Sequence, residues 1–129
     1  MVALFDNSVK LHILLDSSFL YYIVKNKINF FEIFNQFFNK NYILYVTECI
    51  IKEISNLKSH NKILIRFINN STIKKLKCFH IQSYADRCIT NKIKSTNLFT
   101  LATQDKLLIK TVIKFTRVIS FKKKKIVVI

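Results

Sequence analysis

The feature that most constrains the fold is an alternation between short apolar runs and longer segments with helical spacing. The runs Leu11–Leu15, Tyr42–Val46 and Leu98–Ala102 have the length of buried strands. Each is followed by apolar residues three and four positions apart, which is the spacing of one helix face. This order predicts an α/β fold in which a mostly parallel central sheet is flanked by helices.

The remaining segments are assigned from the same periodicity. The basic stretch Lys74–Lys77 shows no clear pattern, and Val118–Ile129 predicts one or two strands split by Lys122–Lys125. Thr47 is a suitable N-cap for a helix over Glu48–Lys58. The predicted helices are two within Ser17–Asn39, then Glu48–Lys58, Lys62–Asn69, one from Ser83, and Asp105–Phe115 with Leu108, Val112 and Phe115 facing inward.

Length and charge limit the classes of protein. The 129 residues suit a single domain covering 1–129, and 22 Lys and Arg against 7 acids give a net charge of +15. RNA, DNA and anionic membranes all attract such a chain. Because Gly and Pro are absent while Lys, Asn, Ile and Phe abound, part of this charge reflects biased composition. No apolar segment is long enough to span a bilayer, and Asp6 and Lys10 interrupt any secretory signal, so we expect an intracellular protein without a membrane partner.

Four of the acids fall where the active site of a parallel sheet forms. Asp16 and Asp105 follow predicted strands, Asp86 lies near the start of a helix, and Glu53 shares a helical stripe with Ile50, so it is expected to point inward. Clustered carboxylates repel one another, and a hard divalent cation such as Mg²⁺ or Mn²⁺ compensates. Such a site supports phosphodiester hydrolysis without a covalent nucleophile.

Structural explanations for these acids remain open. Ser83 and Asp86 form a capping-box-like pair, Asp105 has the position of a helix cap, and Glu48 is a favourable charge in a first helical turn. A cap does not explain Glu53, which makes it the exception.

The cysteines and one histidine suggest a second metal site. Cys49, Cys78, His80 and Cys88 provide four ligands that suit tetrahedral zinc. The alternative is that the three cysteines are small buried hydrophobic residues, since no CxxC pair is present. Disulfides are not expected in a reducing compartment.

Four motifs follow one another in order along the chain. They are Ile13–Phe19 (ILLDSSF), Thr47–Ile54 (TECIIKEI), Leu76–His80 (LKCFH) with Tyr84–Ile89 (YADRCI), and Leu101–Leu107 (LATQDKL). Together with the interleaved Cys and His set, they resemble the PIN-domain family. Within it they resemble the nucleolar branch that contains the pre-rRNA-processing endonuclease of the small-subunit processome.

This resemblance implies a three-layer PIN-like domain with metal-dependent endoribonuclease activity on the precursor of small-subunit rRNA. It further implies a nucleolar location and ribosome-assembly proteins as partners. The implied Mg²⁺ or Mn²⁺ ligands are Asp16, Glu53, Asp86 and Asp105, with Asp16 and Asp86 foremost, and the implied structural zinc ligands are Cys49, Cys78, His80 and Cys88. Thr103 matches a small hydroxyl residue near PIN active sites and ranks below the acids.

One departure from the family pattern keeps a second hypothesis open. The family's Tyr-Ala-Asp-Asp is Tyr84–Arg87 here, so a cation replaces an acid and activity is expected to weaken. A sister branch with degraded acids serves as a non-catalytic RNA-binding assembly factor, and a toxin-type PIN ribonuclease is disfavoured by the Cys and His set. Under the first two hypotheses a group of basic residues would bind the RNA backbone, although each is equally explained as a solvated surface charge: Lys74, Lys75, Lys77, Arg87, Lys122, Lys123, Lys124 and Lys125.

Overall fold

The computed structural model describes residues 10–69, 72–78 and 85–129, and for Asp86 the backbone alone. Within these ranges the chain forms six strands and six helices. The strands are β1 (Leu11–Leu15), β2 (Tyr42–Thr47), β3 (Ile73–Leu76), β4 (Phe99–Ala102), β5 (Val118–Lys122) and β6 (Lys125–Val128). The helices are α1 (Ser17–Lys25), α2 (Phe30–Phe38), α3 (Glu48–Ser55), α4 (Asn61–Ile68), α5 (Ala85–Ser95) and α6 (Lys106–Val112).

All the strands belong to one sheet with the order β3-β2-β1-β4-β5-β6. The first five are parallel and β6 alone is antiparallel, which confirms the predicted mostly parallel α/β architecture. From β1 the next strands, β2 and β3, are added toward one edge of the sheet, and from β4 the next strands, β5 and β6, are added toward the other edge. Strand order therefore reverses between β1 and β4, and open α/β sheets bind ligands at the carboxyl ends of the strands at such a point.

The helices cover both faces of the sheet. Parallel crossovers are right-handed, so connections that lead toward β3 and those that lead toward β5 lie on opposite faces. Aromatic side chains fill much of the core, and the ring of Phe19 on α1 stacks on that of Phe121 on β5 with centroids 4.8 Å apart. None of the described helices has the length and apolarity needed to cross a membrane.

One segment without a predicted element forms a strand, one local prediction is wrong and one is untested. The basic stretch left unassigned contains β3, an edge strand that pairs with β2 and buries only Ile73. Phe115 was expected to face inward but is 44% exposed, because α6 ends at Val112 and the chain then turns into β5. Ser83, the expected start of a helix, lies outside the described residues.

The absence of glycine is visible in the backbone. Six described residues adopt positive φ angles that glycine ordinarily takes: Lys27, Asn39, Lys40, His60, Lys123 and Lys124. Left-handed backbone costs a residue with a Cβ atom about 1 kcal/mol or more. Packing elsewhere in the fold must offset this strain.

Candidate active site and cysteine cluster

Asp16 lies at the point where the strand order reverses. Its N–H donates to the carbonyl of Ala102 at 2.9 Å, which extends the pairing of β1 with β4 by one residue. The side chain is only 6% exposed, immediately before α1. The predicted position of Asp16 at the carboxyl end of a buried strand is thus confirmed.

The two oxygens of Asp16 have different environments. Oδ2 accepts hydrogen bonds from Ser18 Oγ at 2.6 Å and from Thr103 Oγ1 at 2.7 Å. Within the described residues no hydrogen bond reaches Oδ1. One oxygen is therefore fixed by two hydroxyl groups, and the other accepts no hydrogen bond from the part of the chain that the structure describes.

Thr103 connects the two loops of the site. It is fully buried, and its Oγ1 accepts the N–H of Asp105 at 3.0 Å while donating to Asp16. Its own N–H donates to the carbonyl of Ile119 on β5 at 3.0 Å. Thr103 thus holds the loop after β4 against both β1 and β5.

Gln104 extends this network to the outer part of the sheet. Its N–H donates to Ser18 Oγ at 3.0 Å. Its side-chain Nε2 donates to the carbonyl of Phe121 at 3.0 Å, and Oε1 accepts the Phe121 N–H at 2.6 Å and the Ser120 hydroxyl at 2.8 Å. The side-chain amide therefore pairs with β5 in the way a neighbouring strand would.

Asp105 acts as a helix cap, as the structural explanation predicted. Its Oδ1 accepts the N–H groups of Leu107 at 2.9 Å and Leu108 at 3.3 Å. The residue is exposed, and no hydrogen bond from the described residues reaches Oδ2. A capping role for one oxygen leaves the second available.

The expectation that Glu53 points inward is wrong. Glu53 is exposed, and the buried residues of α3 are Ile50 and Ile54. The helix ends at Ser55, so Leu57 does not continue the stripe, and Glu53 lies about 60° around the helix from Ile50. Its assignment as a metal ligand now depends on the family resemblance alone.

Asp86 falls in the second position described for α5, and its side chain is outside the described residues. Among the side chains that are described, the one group of three potential ligands with atoms within 4.8 Å of one another is formed by cysteines. Asp16, Glu53 and Asp105 therefore do not meet at that spacing.

Cys49, Cys78 and Cys88 form that group and come from three elements. Cys49 lies on α3, Cys78 follows β3, and Cys88 lies on α5, with Cys78 Sγ and Cys88 Sγ 3.4 Å apart. Three of the four predicted zinc ligands are thus brought together. The fourth, His80, lies outside the described residues.

The three thiols differ in acidity. Burial raises the pKa of Cys49, and burial together with the neighbouring thiols raises the pKa of Cys88 to about 12. Burial also raises the pKa of Cys78, but hydrogen bonds from the Cys49 backbone and the other two thiols, with the charge of Lys92, outweigh it and the net pKa is lowered. Cys78 is therefore the thiol of the cluster that loses its proton most readily.

Glu48 holds the segment that carries Cys78. Its Oε1 accepts the Cys78 N–H at 2.7 Å, and Lys92 Nζ donates to the Lys77 carbonyl at 3.2 Å. The sequence predicted only a favourable helix-end charge for Glu48. In the sequence, only the position of Glu48 next to Cys49 indicated a contact with the cysteine cluster.

Sequence reasoning also missed Ser18 and Gln104. Both lie within the motifs ILLDSSF and LATQDKL, yet neither carries charge, so neither stood out as a ligand. Their roles are long-range, because the bond between Gln104 N and Ser18 Oγ joins residues 86 positions apart.

The predicted basic residues lie in three places. Lys74 and Lys75 are exposed on the edge strand β3, with Lys77 exposed just after it, and Arg87 is exposed on α5. Lys122–Lys125 are exposed at the hairpin between β5 and β6.

The fold and the position of its acids define a PIN-type domain. The chain superposes on a solved structure of the PIN domain endonuclease Utp24 with a TM-score of 0.84 and 26% identity, covering 91% of this chain and 90% of that one. A family model described as Fcf1 matches residues 36–128. The chain therefore belongs to the Fcf1 family, as the four motifs indicated.

Curated relatives of this chain are named as members of the same family. The rRNA-processing protein fcf1 of Schizosaccharomyces pombe is 26% identical over 95 residues, covering 74% of this chain and 50% of the relative. The FCF1 homolog of Homo sapiens is 25% identical over 95 residues, covering 74% and 48%. The matched region thus spans about half the length of these relatives.

Proposed function

We propose that this chain is a metal-dependent endoribonuclease that processes the precursor of small-subunit rRNA in the nucleolus, together with ribosome-assembly proteins. The supporting observation is the buried carboxylate of Asp16, which has one oxygen held by two hydroxyl groups and a second oxygen that accepts no hydrogen bond from the described residues. It lies where the strand order reverses, at the carboxyl edge of the sheet. The rRNA-processing relatives supply the substrate class.

The donor chemistry of this edge fits Mg²⁺ or Mn²⁺, which prefer oxygen ligands. Asp16 Oδ1 would hold the ion directly. Because the ligand atoms of Asp16, Glu53 and Asp105 do not all lie within 4.8 Å of one another, Asp105 Oδ2, Asp86 and Glu53 would complete the site through water molecules that such an ion keeps. The ion would supply charge neutralisation at the scissile phosphate and an activated water molecule. Ser18 and Thr103 keep the Asp16 carboxylate from rotating, which reduces the reorganisation needed when substrate binds.

The cysteine cluster would hold a structural zinc ion in the same proposal. Three sulfur atoms within 4.8 Å suit a tetrahedral site that His80 would complete. Zinc would tie α3, the segment after β3 and α5 to one another. No catalytic part is assigned to it.

The nuclease is tested by manganese-dependent cleavage of a pre-rRNA fragment. Asp16→Asn keeps the shape of the side chain but removes its charge, so the rate should fall roughly 10³-fold, or about 4 kcal/mol. Glu32→Gln is the matched control, because Glu32 is an exposed acid on α2 whose one side-chain hydrogen bond within the described residues comes from Asn29 Nδ2 at 2.7 Å. Equal cleavage by wild type and Asp16→Asn would refute the catalytic assignment.

A non-catalytic RNA-binding assembly factor is the second candidate, favoured by one specific observation. Arg87 is an exposed cation next to Asp86 in the position where the family pattern has an acid. This candidate predicts salt-sensitive RNA binding with no manganese-dependent turnover. Manganese bound between Asp16 and Asp105 in a soaked crystal would count against it.

A further inference from the structure

The hairpin turn Lys122–Lys125 opens at the same edge of the sheet as Asp16. Strand β5 runs parallel to β4, and β4 parallel to β1, so the carboxyl end of β5 lies beside the loop that contacts Asp16. We propose that Lys122–Lys125 is a preformed site for backbone phosphates of single-stranded RNA flanking the acid site. This inference assumes the RNA substrate of the proposed function but not its catalysis.

The backbone of the turn is strained. Lys122 pairs with Lys125, and between them Lys123 has φ 52° and Lys124 φ 65°. Two-residue turns with both central residues at positive φ strongly prefer Asn-Gly or Asp-Gly. Residues held in such a conformation commonly mark functional sites, where the surrounding structure offsets the cost.

Left-handed lysines also occur singly, at Lys27 and Lys40, but among the described residues this turn alone has two left-handed lysines in succession. The chain lacks glycine, but asparagine is abundant, and Asn39 occupies a left-handed position elsewhere with φ 56°. Asparagine is the residue with a side chain that tolerates this backbone best. A sequence rich in asparagine nevertheless has lysine at both central positions of this turn.

Several contacts fix the turn to the acid site. The Lys124 N–H donates to Tyr22 Oη at 3.1 Å, and the Tyr22 ring stacks on Phe121 with centroids 5.4 Å apart. Gln104 bonds to the backbone of Phe121 and, through its own N–H, to Ser18. Since Ser18 donates to Asp16, an unbroken series of contacts joins the turn to the carboxylate.

The four ammonium groups are available to a ligand. All four side chains are exposed, and the described acids form no ion pair with any of them. Adjacent like charges repel, and a polyanion relieves that repulsion. Lysine groups that neutralise phosphates release counterions, which makes such binding strongly salt-dependent.

The test is binding of a fluorescent single-stranded RNA oligonucleotide to the full chain, without Mg²⁺ or Mn²⁺ and over a range of salt concentrations. The variant Lys123→Asn with Lys124→Gly keeps the turn, relieves its strain and removes two charges. The dissociation constant should rise about tenfold at 0.1 M salt, and the slope of log affinity against log salt should fall by about 1.4. A second variant, Lys122→Gln with Lys125→Gln, leaves the central residues intact and should give a similar loss.

The matched control removes two exposed lysines from the opposite edge. Lys40 precedes β2 and is itself left-handed with φ 59°, and Lys114 precedes β5. Lys40→Gly with Lys114→Asn therefore removes the same charge and relieves one left-handed residue. A loss confined to the turn variants supports the site, whereas equal losses in turn and control variants, or no loss, overturn it. If Asp16→Asn abolishes cleavage while the turn variants bind normally, the nuclease proposal survives and this one fails.

Discussion

The acid site and the cysteine cluster arrange their potential metal ligands in opposite ways. At the acid site, the Asp16 carboxylate is held by the hydroxyl groups of Ser18 and Thr103, and the described acids form no group of three within 4.8 Å. In the cluster, the potential ligands contact one another, with two sulfur atoms 3.4 Å apart. Thiols can do so because they are largely neutral before a metal binds, whereas ionised carboxylates repel.

This difference indicates two kinds of metal dependence. Separated oxygen ligands suit a hard cation that arrives with substrate and leaves readily. Adjacent sulfur ligands suit zinc that becomes part of the fold. If the comparison is correct, loss of one metal should leave binding of the other intact.

The largest effect is expected at the cysteine cluster. Cys88→Ala removes a buried ligand and with it zinc-linked stabilisation of about 4 kcal/mol at a thousandfold excess of zinc over its dissociation constant. The melting temperature should fall by roughly 15 °C in a scanning calorimeter. A zinc chelator should lower the melting temperature of wild type but not of the variant. If the chelator leaves the melting temperature of the wild type unchanged, the proposal of a structural zinc ion is wrong.

Two substitutions at Asp105 distinguish its role as a helix cap from its proposed role as a metal ligand. Asp105→Asn keeps an acceptor for the N–H groups of Leu107 and Leu108 but removes the charge, so cleavage should fall about 100-fold, or about 2.7 kcal/mol. The melting temperature should hardly change. Asp105→Ala should in addition lose about 1 kcal/mol of stability in urea unfolding. Wild-type cleavage by the Asn variant would make Asp105 a cap only.

Thr103 should act as a positioning residue. Thr103→Val removes one of the two hydrogen bonds to Asp16 and leaves the Asp105 N–H without its acceptor, so cleavage should fall about tenfold, or about 1.4 kcal/mol. The manganese concentration for half-maximal rate should rise as well. Thr103→Ser keeps the hydroxyl and should restore both values. A Val variant with unchanged manganese dependence would place the effect elsewhere.

The smallest effect is a difference in proton release. Because the pKa values of Cys49 and Cys88 are raised, both thiols are protonated at pH 7 and zinc must displace their protons. Zinc affinity should therefore increase as pH rises toward these pKa values. Calorimetry in buffers of different ionisation enthalpy should show about two to three protons released per zinc. Manganese binding at the acid site should release fewer, since carboxyl groups are ordinarily ionised at pH 7.

Local sequence patterns predicted the fold class and the position of Asp16, because a buried strand and the charged residue that follows it are adjacent in the sequence. It failed at Glu53, since the inward face of α3 depends on where tertiary packing ends the helix. It missed β3, whose two exposed lysines conceal a strand that β2 completes by pairing. The parts played by Ser18, Gln104 and Tyr22 could not be predicted, because each depends on a contact with a distant residue.

The hydrogen bond between Asp16 and Thr103 joins residues 87 positions apart. Loops of this length close late, because their closure entropy must be overcome before the contact stabilises anything. During synthesis, a growing polypeptide carries Asp16 long before Thr103 emerges to orient it. An incomplete chain therefore lacks the partner that orients the Asp16 carboxylate, so the acid site takes its final form only after Thr103 has been synthesised.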